Sequence, residues 1–427
     1  MPETPDQANK VRSIFPEESA NNDSCAMTAC SGNVSKVLND DDLLREIIVR
    51  ISFSTTLVRA ALVCKRWYQH VSEPAFLCRF RKRHPSHLLG FYLEDREHHN
   101  VSFIRFFPML PQPPELASVI RRVASYSLDS YHGTPANFLC SRSGRVLISL
   151  YNQNQVNGNK FTVGVHSPLC AERGLVVVPP FPHVQIQDGY YRRLNDLLSV
   201  EEADGLSYLH VSFVSNMQRT KSTAHVHKLR HGDGVWCASL TLDTDHLRDL
   251  RGEPKAVLAN NKIYIASALS NIVVLDLTAS SISTVQLPRG VEYGSRNTML
   301  AQAGDASAVY LIHAKKLRLH IWLHKGGNWF LVNTICLRDM LANLRIPGCE
   351  VDDEPTAPLR IKHVGDYAEF VFLEMGRCAL HLDVKCMQLR KVYYMTEELH
   401  LGEIHPLMMI WPPIFPALKD NPARNAM

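Results

Sequence analysis

The chain contains no Cys-x-x-Cys pair, no Walker-type phosphate loop, no Gly-x-Ser-x-Gly turn and no dinucleotide-binding fingerprint. Those absences weaken the case for an enzyme without excluding one. No run approaches the roughly 20 apolar residues that would span a bilayer. The polar N-terminus lacks the apolar core of a secretory signal. The 11 cysteines, odd in number and irregularly spaced, therefore read as reduced thiols of a cytoplasmic or nuclear protein. Strong net charge is missing as well. Forty-six Lys and Arg against 42 Asp and Glu leave +4, too little for a global nucleic-acid or anionic-membrane surface.

What is present is ordinary globular composition, 45% hydrophobic and 21% charged over 427 residues. That length suits two or three domains, or one small domain followed by a large repeat structure. Residues 1–36 are polar without sustained period and read as a disordered tail holding two stray thiols, Cys25 and Cys30. Helical spacing then begins abruptly. Asp40 or Asn39 can cap a first helix whose apolar face is Leu43, Leu44, Ile47, Ile48 and Ile51. Ser54 opens a second, with Leu57, Ala60, Ala61, Cys64, Trp67, Tyr68 and Val71 on one face over four turns. Ser72 opens a third, with Pro74 in its first turn, and His84-Pro85 ends it. Three short amphipathic helices leave little interior, so such a unit is expected to complete its core against a partner.

Beyond His84 the period changes from helical to two. "HLLGFYLE" (87–94), "RVLISLY" (145–151), "KFTVGVH" (160–166), "GLVVVPP" (174–180) and "LSYLHVSFV" (206–214) read as strands. Residues 261–288, 309–335 and 368–395 share one plan of strand, turn, strand, turn, strand. Asp276 and Asp383 fall at matching places in that plan, which argues for a repeated turn rather than one catalytic site. Recurrence every 40–60 residues predicts a β-propeller of roughly six or seven blades, with a single long sandwich as the alternative. The expected organisation is α+β and multidomain: tail 1–36, helical module 37–85, propeller-like region 86–416, and tail 417–427, with Trp411 available to help close the ring.

The segment "LNDDDLLREIIVRISFSTTLVRAALVCKRWYQHVSEPAFLCRFRKRHP" (38–85) resembles an F-box, and more narrowly that of a large plant, grass-expanded family. The Leu38 start, acidic cap, "DLLREI", "LVRAALVCKRW" and "SEPAFL" carry the match; the usual Leu-Pro opening is Leu38-Asn39 here. "NFLCSRSGRVLIS" (137–149) and "VHSPLCAERGLVVVPPFP" (165–182) are similar to segments of the F-box-associated propellers of that family. The resemblance implies a Skp-type adaptor, and through it a cullin, bound by the helical module, and a protein substrate bound by the β-rich region. Carried onto this chain, the adaptor-facing residues would be Leu38, Leu43, Leu44, Ile47, Leu57, Val63, Cys64, Trp67 and Val71. It implies no catalytic residue, no cofactor and no metal. A binding protein without degradative role and, more distantly, a propeller enzyme are the rival readings.

Other features have plain explanations. Cys64 lies beside Lys65 and Arg66, yet neighbours on a helix point about 100° apart, and the apolar stripe makes it a packing residue. The run Arg79, Arg81, Lys82, Arg83 reads as a solvated helix face before a nucleic-acid patch. His98-His99 and the group His225, His227, His231 are expected by chance among 20 histidines, although His225 and His227 would share a strand face.

Overall fold

The computed structural model describes residues 34–84, 86–96, 102–124, 136–142, 144–151, 161–182, 190–202, 205–216, 222–230, 232–244, 255–266, 271–294, 296–303, 308–346, 358–395, 401–409 and 415. The readings placed on residues 1–33, His98-His99, His231, Trp411 and 417–427 lie outside them. Contacts divide the chain into two units, residues 1–85 with 412–427, and residues 86–411.

The first unit holds α1 (Asp41–Ile48), α2 (Ser54–Ala61), α3 (Lys65–Ser72) and α4 (Pro74–Arg83), preceded by helical residues 34–39. Asp40 caps α1: its carboxylate accepts from the Asp42 and Leu43 amides at 3.0 and 2.9 Å, satisfying two donors the helix itself leaves open. The single helix expected from Ser54 through Val71 is broken. Cys64 sits in extended backbone (φ −163°, ψ 169°), and α3 starts afresh after it. A continuous helix would set Val71 about 21 Å from Leu57. The break folds α3 back on α2, so that Leu57 and Val71 share one interior with Leu44, Ile48, Phe76 and Phe80. Glu73, not Ser72, precedes α4, and Pro74 takes its first position, where a missing N–H costs nothing. Over residues 41–83, four helices thus stand where three were expected.

The second unit is a six-bladed propeller. Five blades are four-stranded antiparallel sheets in simple sequence order. They are β3 (Ala136–Arg142), β4 (Arg145–Tyr151), β5 (Phe161–His166) and β6 (Leu175–Val178), then β7 (Tyr190–Glu202), β8 (Gly205–Asn216), β9 (Ser222–Leu229) and β10 (Cys237–Thr244). Next come β11 (Ala256–Ala259), β12 (Lys262–Ala266), β13 (Asn271–Asp276) and β14 (Ser281–Gln286). The fourth of these blades has β15 (Thr298–Gln302), β16 (Val309–Lys315), β17 (Arg318–Lys325) and β18 (Asn328–Cys336). The fifth has β19 (Leu359–Val364), β20 (Phe370–Met375), β21 (Cys378–Asp383) and β22 (Gln388–Tyr394). The sixth blade joins the two ends of the unit, β1 (Leu88–Arg96) and β2 (Ser102–Pro108) pairing with β23 (Ile404–Met408) in the order β2-β1-β23. Among the described residues, two α-helices decorate the ring, α5 (Ala117–Ala124) and α6 (Arg338–Leu344).

The first strands β3, β7, β11, β15 and β19, together with β23, touch one another in turn and close a ring of six, which makes them the channel-lining strands. Hydrophobic cores lie between successive blades. Phe91 meets Phe372 at 5.2 Å between ring centroids, and Tyr92 meets Phe138 at 5.3 Å, so β1 packs on both neighbours of its blade. Tryptophans bond across the joints: Trp236 Nε1 donates to the Pro179 carbonyl at 2.9 Å and Trp329 Nε1 to the Gln286 carbonyl at 2.7 Å. Asp276 and Asp383 do hold turns. Asp276 accepts from the Thr278 and Ala279 amides, and Asp383 from the Cys386 amide at 2.7 Å.

Candidate functional site

The helical module divides the residues expected to face an adaptor into two sets. Leu44, Leu57 and Val71 are fully buried and form the interior of the module, a correction to their expected place on the docking face. Leu43 and Ile47, one turn apart on α1, are 47% and 45% exposed, and Val63 is 62% exposed. Leu38 and Trp67 are half-buried. Cys64 is exposed in the break between α2 and α3, so its expected packing role does not hold. Two further exposed apolar residues, Val58 and Leu62, belong with this set. Helical periodicity missed Leu62 because it lies where the helix stops.

Arg66, close to Cys64 in sequence, acts as a clamp. Its guanidinium donates to Asp41 Oδ1 at 2.8 and 2.6 Å and to the carbonyls of Leu38 and Asn39 at 2.7 and 2.6 Å. It thereby ties α3 to the start of α1. His70 completes the tie: Arg45 Nε donates to its Nδ1 at 3.1 Å, which leaves Nε2 to donate to Asp41 Oδ1 at 2.9 Å. The Arg66 hydrogen bonds, followed by that of His70, hold the Asp41 carboxyl below the usual carboxylate range. Arg45 in turn pairs with Glu73 at 2.8 Å. From the basic run, Arg79 pairs with Glu46, which also binds Arg50 at 3.2 Å. Charge in this module therefore fixes helix positions and leaves aliphatic side chains facing water.

In the propeller, the channel is bridged by charge. Lys255 immediately precedes β11 and Glu403 immediately precedes β23, strands three places apart in a ring of six, and their side chains meet at 2.8 Å. Asp196 on β7 accepts from the Ala256 amide at 2.8 Å, and Lys362 on β19 donates to the Leu401 carbonyl at 2.9 Å. Burial opposes ionisation of Glu403, but Lys255, with Lys362 and His405 nearby, brings its carboxyl down to about 2. Burial, then the Lys255 charge, lowers His363 to about 3 and carries His405 well below the usual imidazole range. His225 and His227 do share a face of β9, their rings 6.5 Å apart. Among the described residues no group of three or more His, Cys, Asp or Glu side chains could hold a metal ion, and no helix is long and apolar enough to cross a membrane.

A small helical module with exposed aliphatic side chains, followed by a six-bladed propeller, defines a modular F-box protein. Two family models agree with that class: "F-box domain" matches residues 40–79, and "F-box protein AT5G49610-like, beta-propeller" matches residues 137–415. The chain belongs to this F-box propeller family. Comparison with curated proteins gives no match. Among solved structures it is similar to the periplasmic gluconolactonase PpgL of Pseudomonas aeruginosa, at 12% identity and TM-score 0.35, covering 73% of this chain and 84% of that one. It is also similar to BamB of Moraxella catarrhalis, at 12% identity and TM-score 0.26, covering 60% and 63%. Prolyl oligopeptidase B of Galerina marginata matches at 11% identity and TM-score 0.32, covering 73% and 50%. Likenesses this distant carry no argument about activity.

Proposed function

We propose that this protein is a substrate-receptor subunit of a Skp–cullin–F-box ubiquitin ligase, within the plant, grass-expanded branch that its "LVRAALVCKRW" string resembles. Its helical module docks a Skp-type adaptor, and through it a cullin, while the propeller holds a protein substrate. The observation that supports this is the exposure of Leu43, Ile47, Val58, Leu62 and Val63 on a module whose helices are fixed by Arg66, His70 and Asp41. Pre-set exposed aliphatic side chains, with a half-buried tryptophan in the same module, suit the apolar centre of an interface, where a few residues dominate affinity. No residue of this chain carries ubiquitin-transfer chemistry in this reading. The contribution is to raise the effective concentration of substrate lysines near the ligase.

Capture of the full chain from cells tests the proposal. Recovery of adaptor and cullin is expected, with loss of roughly tenfold or more for Leu43→Ala combined with Trp67→Ala. Failure to recover the adaptor with the unmutated chain would sink the proposal. Accumulation of propeller-bound proteins after deletion of residues 38–85 is the expected mark of a degradative role over simple binding.

A further inference from the structure

If the propeller holds a substrate, its channel is a poor place to look, since Lys255 and Glu403 bridge it. A groove on the blade of β15–β18 offers a better one. It encloses about 550 Å³ between the β16–β17 turn and the end of β18, and Lys315, Lys316, Arg318, His320 and Arg338 line it, with Leu317 and Cys336 completing the wall. None of these seven residues is acidic. Lys315, Lys316 and Arg318 are exposed. Burial first, then the Arg318 and Lys315 charges, lowers His320, which places that ring inside the same positive field. A concave wall of one sign concentrates field lines and attracts the opposite charge.

A polypeptide is favoured over a free anion or a nucleic acid by what lies along the same strand. β18 is the last strand of its sheet, so its outer edge pairs with no strand among the described residues. It runs from Cys336 in the groove back to Phe330, Leu331 and Val332, which are 54%, 50% and 53% exposed. An unpaired edge with consecutive exposed apolar side chains, no proline and cations at one end suits an extended chain that adds a strand and ends in negative charge.

We infer that this groove and the adjoining β18 edge bind an extended, anionic segment of a protein partner, its carboxylates or phosphates seated against Lys315, Lys316 and Arg318. The inference rests on the substrate-receptor reading for its biological sense, but its physical test does not. Purified full-length protein would be titrated by fluorescence polarisation with a short labelled peptide of alternating glutamate and valine. Phosphoserine-for-glutamate and glutamine-for-glutamate versions, and an oligothymidylate of matched charge, serve as comparisons. Binding of the glutamate or the phosphoserine peptide is expected, the stronger of the two identifying the anion. Lys316→Glu with Arg318→Glu should weaken it by about tenfold or more, and the charge-matched control Arg289→Glu with Lys385→Glu by no more than about twofold. Equal weakening by both pairs, equal binding of the glutamine peptide, or tighter binding of the oligonucleotide would overturn the inference. So would a rise of about tenfold when Glu350, Asp352, Asp353 and Glu354 are changed to Gln or Asn, since the occupant would then be this chain's own acidic run. Adaptor capture by the same variants reports separately on the F-box reading and should not change.

Discussion

Leu43 and Leu44 are neighbours of identical chemistry, and the fold gives them opposite work. Leu44 has no exposed surface, so Leu44→Ala removes buried methyl groups and leaves a cavity, at a cost of about 2–5 kcal/mol. Leu43→Ala should change the stability of the helical unit by less than about 0.5 kcal/mol. Thermal or denaturant unfolding of the two variants would show the contrast, and a comparable loss for Leu43→Ala would contradict its placement. Helical spacing placed both residues on one apolar stripe and could go no further. Which side of the stripe faces inward depends on where α3 packs, and that is set by the break at Cys64. The Arg66 clamp was illegible for a similar reason: its partners Leu38, Asn39 and Asp41 lie 25 to 28 residues earlier, with α1 and α2 between.

At the scale of elements, the long runs of alternation were legible and the short inner strands were not. The three-strand plans read from 261–288, 309–335 and 368–395 correspond to the outer three strands of three blades. β11, β15 and β19, with four, five and six residues, preceded each of them unrecognised. Such short runs carry little period, and both faces of a channel-lining strand answer to neighbours far away in sequence. Ring closure is another long-range matter. β23 supplies the inner strand of the sixth blade by pairing with β1, and the Glu94 amide donates to the Glu403 carbonyl at 3.1 Å. Gly402 lies so close to β1 that a Cβ there would collide with the Glu94 carbonyl, which is backbone and cannot swing away. Gly402→Ala should therefore destabilise the propeller by about 1–3 kcal/mol. Differential scanning calorimetry should show a lowered propeller transition; an unchanged one would mean β23 does not seat as described.

At the scale of the whole molecule, the bridged channel makes propeller stability depend on pH. His363 and His405 are held neutral by burial and by Lys255, whereas in the unfolded chain each takes up a proton near 6.5. The unfolded state thus binds more protons as pH drops below that value, and stability is lost on acidification. His381, lowered to about 4 by burial, adds to the same slope. Glu403 acts in the same direction over a lower range: its contribution is complete above the ordinary glutamate value and fades as pH falls toward about 2. Between pH 7 and 5 the histidines dominate, and a loss of about 2 kcal/mol is expected from each of His363 and His405. In the helical unit Asp41 and Glu46 lose their stabilising pairs only as pH falls below the usual carboxylate values. Unfolding followed from pH 7 to 5 should therefore show the propeller transition falling. Replacing His363 and His405 together with Gln should flatten the propeller's slope, because glutamine takes up no proton in either state. A slope unchanged by that double replacement would place the acid response outside the channel.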